Sequence, residues 1–215
     1  MVAVTGWYLW WQRRLIVRNE EVQSPSRTSS AIQAVALNFV LAAKKPSVTP
    51  RLIIWKIPLS GQIALNVDAS FSEDDHSGAC GAIVRDNHGL FVCASIARLE
   101  HVPDIVSAEA AALMEGLKLS LNIDCNSIFI QMDNLVVVDA SNQNTGHSMV
   151  AAPILDECRS LLQEFGKVLI EHCNRESNMV AHVLAQRGRV DPPFVWSDAP
   201  PDFISTFLVD DVTFI

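Results

Sequence analysis

Long hydrophobic runs are missing from this sequence. The most apolar window, AIQAVALNFVLAA (31–43), is broken by Gln33 and Asn38 and falls short of the roughly 20 residues a membrane span needs, so no membrane association is expected. A basic leader is missing as well. In MVAVTGWYLWWQRRLIVRN the arginines follow the apolar part, with no small-residue cleavage site, and a secretory signal is not expected. Cysteine pairing is absent: Cys80, Cys93, Cys125, Cys158 and Cys173 are odd in number and never in CxxC spacing. Neither a zinc site nor a disulfide framework is indicated, and the cysteines read as reduced core residues of an intracellular protein, nuclear or cytoplasmic. Positive charge is scarce in the middle of the chain, where residues 64–186 carry 6 Lys/Arg against 17 Asp/Glu, while residues 1–63 carry 8 against 2. Phosphate affinity comes from cationic contacts, so the acidic centre excludes nucleic-acid binding by bulk charge alone. It leaves room for a site in which carboxylates are wanted for themselves. What is present, 215 residues at 49% hydrophobic content, suffices for one well-packed domain with an appendage.

The Ser/Pro/Thr pieces SPSRTSS and KKPSVTP bracket an apolar helical run and follow an aromatic, arginine-bearing one. They divide the chain into a helical N-terminal extension (1–50), a main domain (51–190) and a C-terminal tail (191–215) free to dock back or stay loose. IALNVDASF alternates apolar and polar residues, the pattern of a strand with one buried face. SGACGAIVRDNHGLFVCASIARL reads as a hairpin turning at DNHG, and Ser107 as the N-cap of the helix AEAAALMEGLKLSLN. SIFIQMD, apolar nearly throughout, reads as a strand buried on both faces. NLVVVDASN, VAAPILDECRSLLQEF, KVLIEHC and SNMVAHVLAQ complete a βββαβααβα order. A meander followed by alternation predicts an α/β fold: a mixed five-stranded sheet with helices on its faces.

Three carboxylates are placed unusually. Asp68 sits mid-strand, where Asp is disfavoured. Glu109 shares an i, i+4, i+8 stripe with Leu113, Leu117 and Leu121 and so points toward the sheet. Asp133 ends the buried strand at the carboxyl edge, where open α/β sheets place ligands. If the strands of Asp68 and Asp133 are parallel neighbours, about 4.8 Å apart, the two acids stand side by side. They then need a shared proton or a hard cation, Mg²⁺ or Mn²⁺, to be tolerated. In SNMVAHVLAQ the aliphatic residues share one arc, whereas Asn178, His182 and Gln186 line the opposite stripe, which removes His182 from the core.

LNVDASF, GACGAIVRDNHG, SAEAAALMEGL, IFIQMDN and HCNRESNMVAHVLA, in that order and spacing, resemble the type 1 ribonuclease H domain in its plant form. That form is often found at the C-terminal end of LINE-type (non-LTR) retroelement reverse transcriptases. The resemblance covers residues 50–187 well and 1–50 loosely. It implies an RNase H-like sheet in the order 3-2-1-4-5 and hydrolysis of the RNA strand of an RNA/DNA hybrid by two ions, Mg²⁺ or Mn²⁺. Asp68, Glu109 and Asp133 match the family's first three metal-binding carboxylates. The backbone around Ala69 and Ser70, together with Asn134, is expected to contact the 2′-hydroxyls that distinguish RNA from DNA. Arg175 and Asn178 match the family's RexN element, serving substrate contact or helix capping. A monomer, or a piece of a larger retroelement-derived polypeptide, is implied.

One departure matters. The family's fourth metal-binding acid is replaced by His182, as it is in many plant members. Imidazole is a poorer ligand than carboxylate for Mg²⁺ and acceptable for Mn²⁺, so a site of Asp68, Glu109, Asp133 and His182 is expected to have reduced activity. The alternative is a weakened module that binds nucleic acid or protein without efficient cleavage. A basic hybrid-gripping protrusion is not evident, because residues 134–166 offer only Arg159 as a base. His147, in QNTGHSM, falls near the mobile histidine of some members. Trp7, Trp10, Trp11 and Leu15, with Arg14 and Arg18 nearby, form an apolar helical face suited to packing on another domain or to stacking bases.

Overall fold

The computed structural model describes residues 55–142 and 150–213, together with isolated positions between 5 and 32. The chain divides into two compact units, residues 1–51 and 52–215. In the first, positions such as Leu9, Arg13 and Val17 are helical. The aromatic face of Trp7, Trp10, Trp11 and Leu15, like His147, lies outside the described residues. Among the described residues no helix is long and apolar enough to cross a membrane.

The second unit is an α/β sandwich. Strands β1 (Ile63–Ser72), β2 (Ser77–Arg85) and β3 (Phe91–Leu99) form the expected antiparallel meander. Its second turn is the DNHG stretch. Asp86 Oδ1 accepts from the backbone N–H groups of His88 and Leu90, each at 2.8 Å, and Gly89 takes the φ of +78° that closes the turn. Helix α1 (Ile105–Ser120) leads into β4 (Ser127–Met132), which pairs parallel with β1. Helices α2 (Leu135–Asn142) and α3 (Ala152–Leu162) return to β5 (Lys167–His172), parallel to β4. A 3-10 turn (Arg175–Asn178) runs into α4 (Met179–Gly188).

The sheet has six strands where five were expected, in the order β5-β4-β1-β2-β3-β6. Within it lies the predicted 3-2-1-4-5 arrangement. The sixth strand, β6 (Phe194–Trp196), pairs antiparallel with β3 and is followed by α5 (Asp202–Thr213), both from the segment set apart above as a tail. That segment docks because it has something to bury. Ile204 is wholly buried beside Ile83, Ala94, Ile96, Val180 and Leu184, and Trp196 meets Phe203 edge-on at 5.9 Å. A three-residue strand between proline pairs is too short to announce itself by alternation.

Two further expectations are corrected. The N-cap of α1 is Asp104, whose carboxylate accepts from the Ser107 N–H at 2.7 Å; the helix therefore starts at Ile105, with Ser107 in its first turn and wholly buried. The polar side of β1 is also not solvent-facing: Asn66 is 0% and Asp68 3% exposed. Helix α4 covers it, and Gly81 makes the cover close. A Cβ on Gly81 would fall 2.3 Å from the backbone N of Ala185 and 2.4 Å from the carbonyl O of Ala181. Gly81 is the register partner of Asp68, so this close approach brings α4 down onto the strand beside that acid.

Candidate functional site

The site grows from the carboxyl ends of the two parallel central strands. The register pairs Asn66 with Gln131; followed two residues further, it sets Asp133 beside Asp68. Glu109 enters from the start of the second turn of α1. One oxygen from each of the three carboxylates lies within 4.8 Å of the others. Asp68 and Glu109 are buried and Asp133 half-buried, so little water screens them. Burial is the main reason the Asp68 carboxyl is pushed up to about 8, with Asp133 adding to it. Burial likewise raises Glu109 to about 9, helped by Asp68 and then Asp133. The Ala69 backbone and the Arg175 guanidinium pull both partway back.

Such a cluster is short of positive charge. Glu109 Oε2 is buried and has no hydrogen-bond partner, a costly arrangement for a lone carboxylate oxygen. An all-oxygen, partly buried, mutually repelling set suits a hard divalent cation, which would satisfy that oxygen and cancel the repulsion. The residues present fit a metal ion.

His182 stands beside this set. Its Nδ1 is 2.8 Å from Asp68 Oδ2, and its Nε2 is 2.8 Å from Gln186 Nε2. A neutral ring that donates from Nδ1 and accepts at Nε2 satisfies both contacts. Burial, and then the Arg175 guanidinium 3.2 Å from each ring nitrogen, lower the pKa and favour that neutral form. In the metal-free site both ring nitrogens have partners and the ring holds Asp68, and the group able to hold a metal consists of Asp68, Glu109 and Asp133 without His182.

The carboxylates open into a cleft of about 510 Å³ that Ala69, Ser70, Asn134 and Arg175 also line. Ser70 Oγ has no partner. Asn134 Oδ1 accepts from the Val137 N–H at 3.2 Å, capping α2. Asn178 does not reach the cleft. It is 1% exposed, its amide donates to the Val67 carbonyl at 2.8 Å and approaches Asp133 Oδ1 at 3.4 Å, and its side chain makes no cap hydrogen bond to α4. In this structure the Asn178 side chain lies behind the acids. Gln186 and Arg189, on the same wall, were missed. The i, i+4 step from His182 to Gln186 was visible in the sequence, whereas nothing local marks Arg189.

Comparison with known proteins agrees with this geometry. The model of the reverse transcriptase-like family matches residues 66–188. The RNase H1 of the archaeon Halobacterium salinarum superposes with a TM-score of 0.56 at 19% identity, over 60% of this chain and 97% of that one. The N-terminal RNase H domain of a Mycobacterium tuberculosis protein gives 0.54 at 18% identity, over 59% and 92%. LC11-RNase H1, solved in complex with an RNA/DNA hybrid, gives 0.52 at 17% identity, over 58% and 94%. No curated protein sequence matches. At these identities the superpositions speak for the RNase H-like fold.

Proposed function

Because the chain belongs to the reverse transcriptase-like family and carries an RNase H-like domain, we propose that it is a metal-dependent endoribonuclease that hydrolyses the RNA strand of RNA/DNA hybrids. The observation that carries this reading is the convergence of Asp68, Glu109 and Asp133 within 4.8 Å on an open cleft, with Glu109 Oε2 left unpartnered. Asp68, Glu109 and Asp133 would hold Mg²⁺ or Mn²⁺, two ions when substrate is bound. When bound, the ions supply activation of a water and stabilisation of the leaving 3′ oxygen. The protein's own part is to hold the oxygens in place and to receive the substrate. His182 fixes the Asp68 carboxylate through Nδ1. Arg175, exposed at the cleft wall, offers a guanidinium to a phosphate on a domain whose net charge is otherwise unfavourable. The backbone around Ala69 and Ser70 and the Asn134 side chain, which line the cleft, would contact 2′-hydroxyls, the groups that separate an RNA strand from DNA. The reading suits an intracellular protein of retroelement origin.

The test is cleavage of an end-labelled RNA/DNA hybrid in Mg²⁺ and in Mn²⁺, beside Asp133→Asn and beside RNA and DNA duplexes. Metal-dependent cuts confined to the RNA of the hybrid, absent in Asp133→Asn, are expected. Activity that survives the substitution rejects the mechanism. Hybrid binding without cleavage in either metal would instead favour the second reading, a binding module, to which the replacement of a fourth acid by His182 lends support.

A further inference from the structure

A line of buried polar side chains begins far from the cleft and ends at its carboxylates. Asp211 in α5 accepts from Arg85 Nη1 at 2.6 Å. The Arg85 side chain is 1% exposed and its guanidinium lies 3.5 Å from the centre of the Trp55 ring. Arg85 Nη2 donates to Asn66 Oδ1 at 2.8 Å, and Trp55 Nε1 donates to the same oxygen at 2.9 Å. The Asn66 amide nitrogen donates to Asn178 Oδ1 at 3.1 Å. The Asn178 amide nitrogen in turn donates to the carbonyl of Val67, next to Asp68, and reaches Asp133.

The line has a direction, and one residue sets it. Guanidinium and indole only donate, so the Asn66 oxygen must face them and its nitrogen must face Asn178. That turns the oxygen of Asn178 toward Asn66 and its nitrogen toward the two acid-bearing strands. Reversing either amide would set donor against donor or oxygen against oxygen in a buried place, where mismatches are expensive. Arg85 in turn needs a counter-charge to stay buried, and Asp211 supplies it from a helix beyond residue 188, where the family match ends.

We infer that Arg85, anchored by Asp211 of the C-terminal helix, fixes the orientation of the Asn66 and Asn178 amides and thereby positions Asp133 against Asp68 for metal binding. Arg85, Asn66 and Asn178 are positioning residues, and the consequence for metal binding rests on the reading of the acid cluster given above.

A charge-neutral swap in the full chain tests this. Asn66→Asp with Asp211→Asn moves the carboxylate partner of Arg85 from α5 to β1. Arg85 stays paired, while two oxygens at residue 66 force the Asn178 amide to reverse. In metal-free protein the Asn178 side-chain amide resonances and the Asp133 carboxyl ¹³C resonance are expected to move. Affinity for Mn²⁺ by calorimetry should fall about tenfold or more, the scale of lost ligand support, with the melting transition still cooperative. Unmoved resonances and wild-type Mn²⁺ affinity overturn the inference. If the double variant does not fold, the wild type decides: Asn178 amide protons should exchange as slowly as buried backbone amides, and fast exchange overturns the inference. A wild type that takes up no Mn²⁺ defeats the metal reading instead, and the metal-free resonances still decide the positioning line.

Discussion

The two faces of the central sheet are both sealed from water, by different means. Under α1 the contact is mainly apolar, with Leu65, Val67, Leu113, Leu117, Ile128 and Ile130 at its centre. Under α4 and α5 the apolar cluster is smaller, and beside it lie Asn66, Arg85, Gln131 and Asn178, none more than 1% exposed. Apolar contact is roughly proportional to area and indifferent to direction. Hydrogen bonds are directional and fail steeply when misaligned. The apolar contact under α1 can therefore supply stability without setting where Asp68 and Asp133 point, although α1 itself carries Glu109. The α4 face specifies orientation, and Asp68, two residues from Asn66 on the same side of β1, inherits it.

Substitutions at the two faces should separate stability from chemistry, and the largest effect belongs to the acids. Asp133→Asn is expected to lower hybrid cleavage at least about 10²-fold, the scale of losing one electrostatic stabiliser of a transition state, with little change in melting temperature. Leu117→Ala, wholly buried on the α1 face, should do the opposite. It is expected to lose about 2–5 kcal/mol of stability in urea titration while the folded fraction keeps its Mn²⁺ affinity. A Leu117→Ala protein that is folded yet metal-blind would erase the distinction between the faces.

Protons sharpen the same contrast. In the unfolded chain Asp and Glu titrate near 4; folded and metal-free, Asp68 and Glu109 are pushed up to about 8 and about 9. Between those limits the native state binds more protons than the unfolded one, so stability falls as pH rises from about 4 toward 9. A divalent ion must displace those protons. Its affinity should rise about tenfold per pH unit for each proton displaced below pH 8 and level off above 9. Calorimetric Mn²⁺ titrations at pH 6 to 9, in buffers of different ionisation enthalpy, read both the affinity and the protons released. A pH-independent affinity would mean the carboxylates are already ionised.

The faces also differ in how far the sequence displayed them. The stripe of Glu109, Leu113 and Leu117 and the alternation of Leu65 and Val67 announce an apolar interface locally, and they sufficed to bring three acids to one sheet edge. The polar face was misread as solvent-exposed because its partners are remote. Asn66 is satisfied by Trp55, Arg85 and Asn178, and Arg85 by Asp211; no periodicity links residues 66 and 178. His182 was correctly taken out of the core by its helical stripe, but its engagement at both nitrogens depends on Gly81 admitting α4 so close to β1. The cap at Asp104 was missed because Ile105 and Val106, β-branched residues, are weak helix markers.

Glycine substitutions should follow the same division. On the polar face the Cβ of Gly81→Ala would meet helix backbone at 2.3 and 2.4 Å, which cannot yield without moving α4. On the apolar face the Cβ of Gly116→Ala would meet the Val67 Cγ1 methyl at 2.5 Å and the Leu65 methyls at 3.1 and 3.2 Å, side-chain atoms rather than helix backbone. Overpacking typically costs about 1–3 kcal/mol; Gly81→Ala is expected at or above the top of that range and Gly116→Ala near the bottom. Only Gly81→Ala should also weaken Mn²⁺ binding, because displacing α4 carries His182 away from Asp68. Equal losses of stability, or a metal defect in Gly116→Ala, would argue against the division.

The smallest effect is expected at His182 itself. Its contribution is the hydrogen bond from Nδ1 to Asp68, one orienting contact on one ligand, whereas Asp133→Asn removes a ligand charge outright. His182→Ala should therefore weaken Mn²⁺ binding about tenfold, at the low end for losing the support of a ligand, and leave measurable cleavage. His182→Asp exchanges that support for a carboxylate beside Asp68. If the histidine is what limits the site, the added negative charge should raise Mg²⁺ affinity and Mg²⁺-dependent cleavage above wild type. In the metal-free protein the same charge adds repulsion to an already crowded cluster and should lower stability at pH 8. An aspartate that improves neither metal binding nor cleavage would show that the imidazole orients Asp68 as well as a fourth acid serves the ions. The weakened activity expected from the missing carboxylate would then have no physical basis.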